Sequence, residues 1–266
     1  MNPETQNNTD AYNPSEIAQR IEQVGVTKAR LPLLKLFVLA LLAGAFISMG
    51  ALFYIVVTTN GDLGFGISRL IGGITFSLGL ILVVIAGAEL FTGNNLMAMA
   101  WASRKIKTAE LLRNWMIVYT GNAVGAILTV VLVWLADIDS LSSGEVGNHA
   151  IAIAKSKSEL SFLVIMIRGI LCNALVCIAV WIVMAGHTVT DKILAIIFPV
   201  SAFVAIGFEH SVANWFFLPY GFVLSSSDID ITGMFYNILA STIGNIIGGT
   251  LLVSSVYYLA YLRKVK

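Results

Sequence analysis

Gly87-Ala88-Glu89-Leu90-Phe91-Thr92-Gly93-Asn94 (GAELFTGN) and Gly207-Phe208-Glu209-His210-Ser211-Val212-Ala213-Asn214 (GFEHSVAN) stand 120 residues apart, each inside an otherwise apolar stretch. A second pair follows in the same order: Gly121-Asn122-Ala123-Val124-Gly125 matches Gly244-Asn245-Ile246-Ile247-Gly248 at an offset of 123. Gly44 and Gly169 give a weaker third match. One GxE pair would be coincidence. Two ordered motifs at matching places divide the chain into related halves.

The acids make the first motif informative. A glutamate at the centre of a membrane span costs about 3 kcal/mol on insertion scales, so Glu89 and Glu209 need a reason to be there. Each sits beside glycine and is followed by a small polar run, Thr92-Gly93-Asn94-Asn95 or Ser211-Val212-Ala213-Asn214. A lipid-facing helix would not carry such a run, whereas an unwound segment facing a cavity can satisfy it through protein or water. Both segments are therefore expected to be helix breaks near mid-membrane, with Asn94 and Asn214 supporting them. The plainer alternative makes each Glu the end of a span and the remainder a re-entrant loop.

Composition agrees with a membrane setting: of 266 residues 58% are hydrophobic and 12% charged, far from the usual globular balance. Apolar stretches long enough to cross about 30 Å of hydrocarbon are read at 33–58, 70–102, 111–136, 160–186, 193–225 and 232–261. Three spans per half force the halves to face opposite ways. The expected fold is an all-α integral membrane protein with six helices in two inverted repeats, the second and fifth helices broken. Such repeats are a common plan of transporters, with the pathway near the midplane. The glycines of GNxxG, four apart, suit close helix packing.

Lys and Arg set the orientation. Arg20, Lys28, Arg30, Lys35, Arg104, Lys105, Lys107, Arg113, Lys192, Arg263, Lys264 and Lys266, twelve of the sixteen basic residues, fall on one side. Arg69, Lys155, Lys157 and Arg168 fall on the other, with seven acids that include Asp137, Asp139, Glu145, Asp228 and Asp230. Both termini are thus expected in the cytoplasm. The polar first 27 residues lack the order of a signal peptide, and 14–27 read as a short amphipathic helix lying on the membrane, with Ile17, Ile21 and Val24 on one face. The expected division is 1–30, a cytoplasmic segment; 31–262, the channel domain; and 263–266, a tail.

His210 is the one histidine read inside a span; His149 and His187 belong to loops. It follows an acid at a break, and imidazole can give a hydrogen bond or a proton to a small anion. Cys172 and Cys177, five apart in the fourth span, imply neither disulfide nor metal. No cofactor and no nucleic-acid partner is expected.

At GAELFTG, GFEHSVAN, LCNALVCIAVW and TIGNIIGG the chain resembles the formate/nitrite transporter family, over a stretch from Val24 to Arg263. The resemblance implies an aquaporin-like hourglass protomer, although no Asn-Pro-Ala motif occurs, in a homopentamer with one pore per subunit. It implies that Thr92 and His210 flank the pore, that Phe76, Leu80, Leu90, Phe91 and Phe203 form two apolar constrictions, and that Lys157 and Asn173 stand at the outer vestibule. Glu209 and Lys28 match further family positions, and a Lys28–Glu209 pair is expected. The family places the chain in a bacterial inner membrane, exchanging small anions and protons. Formate is favoured over nitrite, hydrosulfide or another weak acid; the KAxxPLLK-like run at 28–35 looks formate-like, while GAELFTG and the 154–181 stretch look as much like the nitrite branch. A neutral-solute channel is a remote alternative. An intramembrane hydrolase has little support, because no HExxH, GxSxG or paired intramembrane aspartates occur.

Overall fold

The computed structural model describes residues 10–61, 63–225 and 229–263. Asp228, Lys264 and Lys266, used above for orientation, lie outside the described residues, as does most of the proposed tail. Among the described residues six helices are long and apolar enough to span a membrane. In chain order the helices are α1 (Pro14–Ala29), α2 (Leu33–Thr58), α3 (Phe65–Ile85), α4 (Phe91–Asn94), α5 (Ala98–Ala102), α6 (Thr108–Leu135), α7 (Glu145–Ser158), α8 (Phe162–Val183), α9 (Val189–Ile206), α10 (Ser211–Leu224) and α11 (Ile231–Ile247). The last span continues past α11 as π-helix, Gly248–Ser255 and Tyr258–Leu262.

The second and fifth spans are broken where the glutamates predicted. α3 stops at Ile85 and the chain resumes helix at Phe91; α9 stops at Ile206 and resumes at Ser211. Gly87 (φ +82°) and Gly207 (φ +86°) hold the left-handed conformation that costs glycine little and other residues more. Behind them Ala88 N–H bonds Val83 O and Phe208 N–H bonds Phe203 O, the closure by which a helix end is capped at glycine. Each break is thus a finished helix terminus, and a second helix starts beyond it.

The repeat extends further than three spans per half. α1 precedes α2 as α7 precedes α8, and each ends in a lysine, Lys28 or Lys157, that reaches the break of its own half. α7 was not foreseen: it lies in a stretch read as a loop, and its Val146, Ala150 and Ala154 are buried, with Ala150 and Ala154 beside Gly221 of α10. α1 corrects a second expectation. Its apolar face does not lie on a membrane surface, because Ile17 and Ile21 pack with Leu96, Met99 and Trp181, while Glu22 pairs with Lys105.

The Gly44–Gly169 match is also corrected. Asn122 bonds Ala40 O and Asn245 bonds Gly169 O, and Glu89 N–H bonds Leu39 O where Glu209 N–H bonds Arg168 O. α2 and α8 therefore align with Ala40 opposite Gly169. The GNxxG glycines do pack as expected: a side chain on Gly121 would meet Ala40 Cβ at 2.6 Å, and one on Gly244 would meet Gly169 Cα at 3.0 Å.

Candidate functional site

Each break is held by the same four side chains. In the first half Lys28 Nζ donates to Glu89 (3.1 Å) and to Asn94 Oδ1 (2.7 Å). Asn94 Nδ2 donates to Glu89 (2.7 Å) and to Asn114 Oδ1 (2.9 Å), and Asn114 returns a bond to Lys28 O. In the second half Lys157 Nζ donates to both oxygens of Glu209 (3.0 and 2.9 Å). Asn214 Nδ2 donates to Glu209 (2.8 Å) and Asn237 Oδ1 (2.7 Å), and Asn237 donates to Lys157 O. The expected Lys28–Glu209 pair does not form. Lys28 belongs to Glu89, and Glu209 takes Lys157, because each lysine ends the helix next to its own break. A buried carboxylate persists only when paired and hydrogen-bonded, and both glutamates meet that condition.

The exposed backbone of the breaks is clamped by the asparagine of GNxxG. Asn122 accepts from Phe91 N–H and donates to Ala40 O and Glu89 O. Asn245 accepts from Ser211 N–H and donates to Gly169 O and Glu209 O. The spacing of GNxxG points to packing, and the amide inside each glycine pair is the signal that a polar partner lies opposite.

Between the breaks the halves differ. His210 caps α10, its Nδ1 accepting from Ala213 N–H at 3.1 Å. In the neutral ring this puts the proton on Nε2, which lies 3.0 Å from Thr92 Oγ1 and so donates to it. Both side chains are buried. The ring of Phe203 stacks on His210 at 5.9 Å and meets Phe76 edge-on at 5.8 Å.

Three cavities run in file through this point. One of about 280 Å³ on the α1 side is bounded inward by Leu80 and Leu90 and lined by Lys28, Glu89 and Asn94. One of about 400 Å³ on the α7 side is bounded by Phe76, Phe203 and His210 and lined by Lys157, Glu209 and Asn214. A space of about 10 Å³ between them shares Leu80 and Leu90 with the first and Phe76, Phe203 and His210 with the second. A single water needs about 10–15 Å³, so the centre has room for one water at most and none for a hydrated anion. Ile47, Val176 and Val200 also line it; nothing in the sequence set them apart from other apolar helix residues.

Phe91 and Asn173 are not where they were expected. Phe91 lines none of these cavities and packs edge-on against Tyr119 (4.9 Å) and Trp115 (6.3 Å). It follows Leu90, whose backbone is extended, and successive side chains of extended chain point to opposite sides, so Phe91 faces away. Asn173 is wholly buried and donates to Thr92 O (3.2 Å), Asn95 Oδ1 (2.8 Å) and Asn245 O (2.7 Å), so it ties the halves together behind the pathway. Lys157 does line the α7-side cavity, but with its charge set against Glu209. Cys172 and Cys177 are free and buried. Among the described residues no three His, Cys, Asp or Glu side chains gather as a metal site.

A protein-family model described as formate/nitrite transporter matches residues 15–259. The formate channel FocA of Escherichia coli (strain K12) is 41% identical over 274 residues, covering 96% of this chain and 96% of that protein. A solved pentameric formate channel with formate bound is 39% identical, with a TM-score of 0.80 over 87% of this chain and 98% of that one. A solved FNT family ion channel is 28% identical, with a TM-score of 0.85 over 92% and 99%.

Proposed function

The chain belongs to the formate/nitrite transporter family, and from that premise we propose that it conducts formate and similar small monovalent anions through the three aligned cavities. The observation that carries this reading is the file of two charged vestibules around a narrow apolar centre lined by His210, whose ring is hydrogen-bonded to Thr92 just outside the cavity lining. The protein is an integral multi-pass membrane channel. We place it in a bacterial inner membrane with α1 and both termini in the cytoplasm, which the one-sided basic residues support. A homopentamer, as in the solved pentameric relative, is the proposed assembly, with residues 31–262 as the conducting unit behind an entry segment, 1–30.

The mechanism follows from the cost of a bare anion in an apolar constriction, several kcal/mol even after relaxation. A formate ion enters a vestibule, sheds water, and passes Leu80–Leu90 or Phe76–Phe203 as those side chains move. At the centre Nε2–H of His210 turns from Thr92 Oγ1 to a formate oxygen, and the freed Thr92 hydroxyl donates to another lone pair. Neutral imidazole can go no further, since giving up its last N–H proton is out of reach near neutrality. Proton transfer needs imidazolium. Nδ1 must first take a proton, giving up its bond from Ala213 N–H; Nε2 then passes its own proton to formate. Formic acid leaves with the ring neutral and its proton on Nδ1. Nε2 then takes a proton from vestibule water and Nδ1 releases one, which restores the resting tautomer and its bond from Ala213 N–H. Each cycle thus carries one net proton on formate.

Formate, nitrite, hydrosulfide, chloride and glycerol fluxes into liposomes carrying the purified chain test the reading. Formate is expected to pass and glycerol to be retained. Glycerol passage without anion flux from folded protein would overturn it, and faster nitrite or hydrosulfide flux would move the substrate within the family. His210→Asn is expected to keep the hydrogen bond but abolish the dependence of formate uptake on a pH gradient. Unchanged pH dependence would remove the proton relay.

A further inference from the structure

The two vestibules share one polar plan but not one charge. On the α1 side a single cation and a single acid, Lys28 and Glu89, line the cavity and pair with each other. On the α7 side three cations line it, Arg69, Lys157 and Arg168, against one acid, Glu209. Lys157 is spent on Glu209 through two hydrogen bonds. Burial holds the His149 imidazole on this wall below its ordinary pKa, so it adds no charge near neutrality. Among the described residues, the uncompensated charge of this mouth therefore belongs to the two arginines.

Their placement is specific. Arg69 Nε donates to Ala205 O at 2.8 Å, which fixes the guanidinium at the end of α9. One terminal nitrogen then lies over Gly207, 2.8 Å from where a side chain would begin. Arg168 is on α8, its own carbonyl taking Glu209 N–H at the break. Among the described residues neither guanidinium meets a carboxylate. The repeat gives each a neutral counterpart: Leu39 stands where Arg168 does, and the 120-residue offset of the breaks puts Val189 opposite Arg69. The extra cations are additions to one end of a symmetric plan.

We propose that Arg69 and Arg168 form an anion-collecting station in the α7-side vestibule, which takes small carboxylates ahead of the Phe76–Phe203 constriction and makes entry from that side faster than entry from the α1 side. Guanidinium presents planar paired donors that match a carboxylate. Charge lining a cleft with low-dielectric walls raises the local concentration of the opposite ion and its rate of entry. The proposal rests on the formate reading above and adds to it a binding site and a sidedness.

Right-side-out and inside-out membrane vesicles from cells making the full chain present opposite mouths to the medium. In one orientation only, the double variant R69Q/R168Q is expected to slow initial formate uptake by roughly tenfold at low ionic strength, the low end of electrostatic steering. The loss should shrink at about 1 M salt, where the screening length falls to ~3 Å from ~30 Å at 0.01 M. R168Q alone changes a side chain with no hydrogen bond among the described residues, and is expected to fold and show a smaller loss of the same sidedness. Equal loss in both orientations, or a loss indifferent to salt, overturns the proposal. So does a lowered melting temperature with uptake unchanged, which would leave Arg69 as a cap on α9. If the wild type passes no formate, the transport reading fails, and the station is judged by binding. Line broadening of ¹³C-formate by purified wild type that R69Q/R168Q abolishes would sustain it; broadening absent, or equal in both proteins, would end it.

Discussion

The break of the first half and that of the second are built from the same parts and do different work. Both stop a helix at a left-handed glycine, seat a glutamate between a lysine and an asparagine, and clamp the exposed backbone with a second asparagine. They diverge one residue later, at Leu90 and His210, both of which border the narrow centre. The scaffold is thus the symmetric part and the chemistry is the exception. Polar residues that recur at both breaks are doing structural work, and those found at one alone are the candidates for function.

That division can be broken by substitutions at equivalent places. The largest effect is expected from the lysines. Lys157→Ala strands Glu209, whose side chain is 3% exposed, and removal of one partner of a buried pair costs about 3–5 kcal/mol. Lys28→Ala leaves Glu89 at 9% exposure beside a lysine already 26% exposed, and should cost less. Melting temperatures in detergent rank the two, and an inverted order would mean that the first break is the more deeply buried in the membrane. Next come Asn122→Ala and Asn245→Ala. Each leaves one break carbonyl, Glu89 O or Glu209 O, and one N–H, of Phe91 or Ser211, without a partner in the interior, where an orphaned group costs about 1–3 kcal/mol. Near-equal losses are expected, and a clear inequality would say that the two clamps are not equivalent. Smaller still is His210→Leu, which gives the second break the residue of the first. It removes a helix cap worth about 1 kcal/mol, so the protein should remain folded while formate flux collapses. Full flux in that variant would place the selective element elsewhere. Least is Phe91→Leu, expected to leave flux unchanged, since Phe91 packs on Tyr119 and Trp115; by contrast Leu80→Ala should raise leak by widening the centre.

Much of this was legible in the sequence because the costs are large. A glutamate and a glycine inside an apolar run admit few explanations, so both breaks and the six spans could be placed from residues alone; the first span's limits, 33–58, coincide with α2. What escaped depends on small energies or distant contacts. α7 is a short helix of modest apolarity whose stability comes from α10, and nothing local marked it. The partner of Lys28 lies 61 residues away, and only the symmetry of Lys157 with Glu209 identifies it. Glycines recur along every packed helix, so Gly44 was matched to Gly169 when backbone contacts pair Ala40 with it. Arg69 and Arg168 were counted for orientation, and their common cavity appears only when α3, α8 and α9 are assembled.

The narrow centre bears on what the surrounding membrane can store. An elementary charge moving through 100 mV releases about 2.3 kcal/mol, so an unbroken thread of water across the bilayer would run an energised membrane down. A gap of about 10 Å³ ringed by Leu80, Leu90, Phe76 and Phe203 breaks that thread. On the proposed reading the resting molecule insulates. Each passage is then a discrete event, opened by side chains moving aside and ended when they close, and the battery loses only what those events carry.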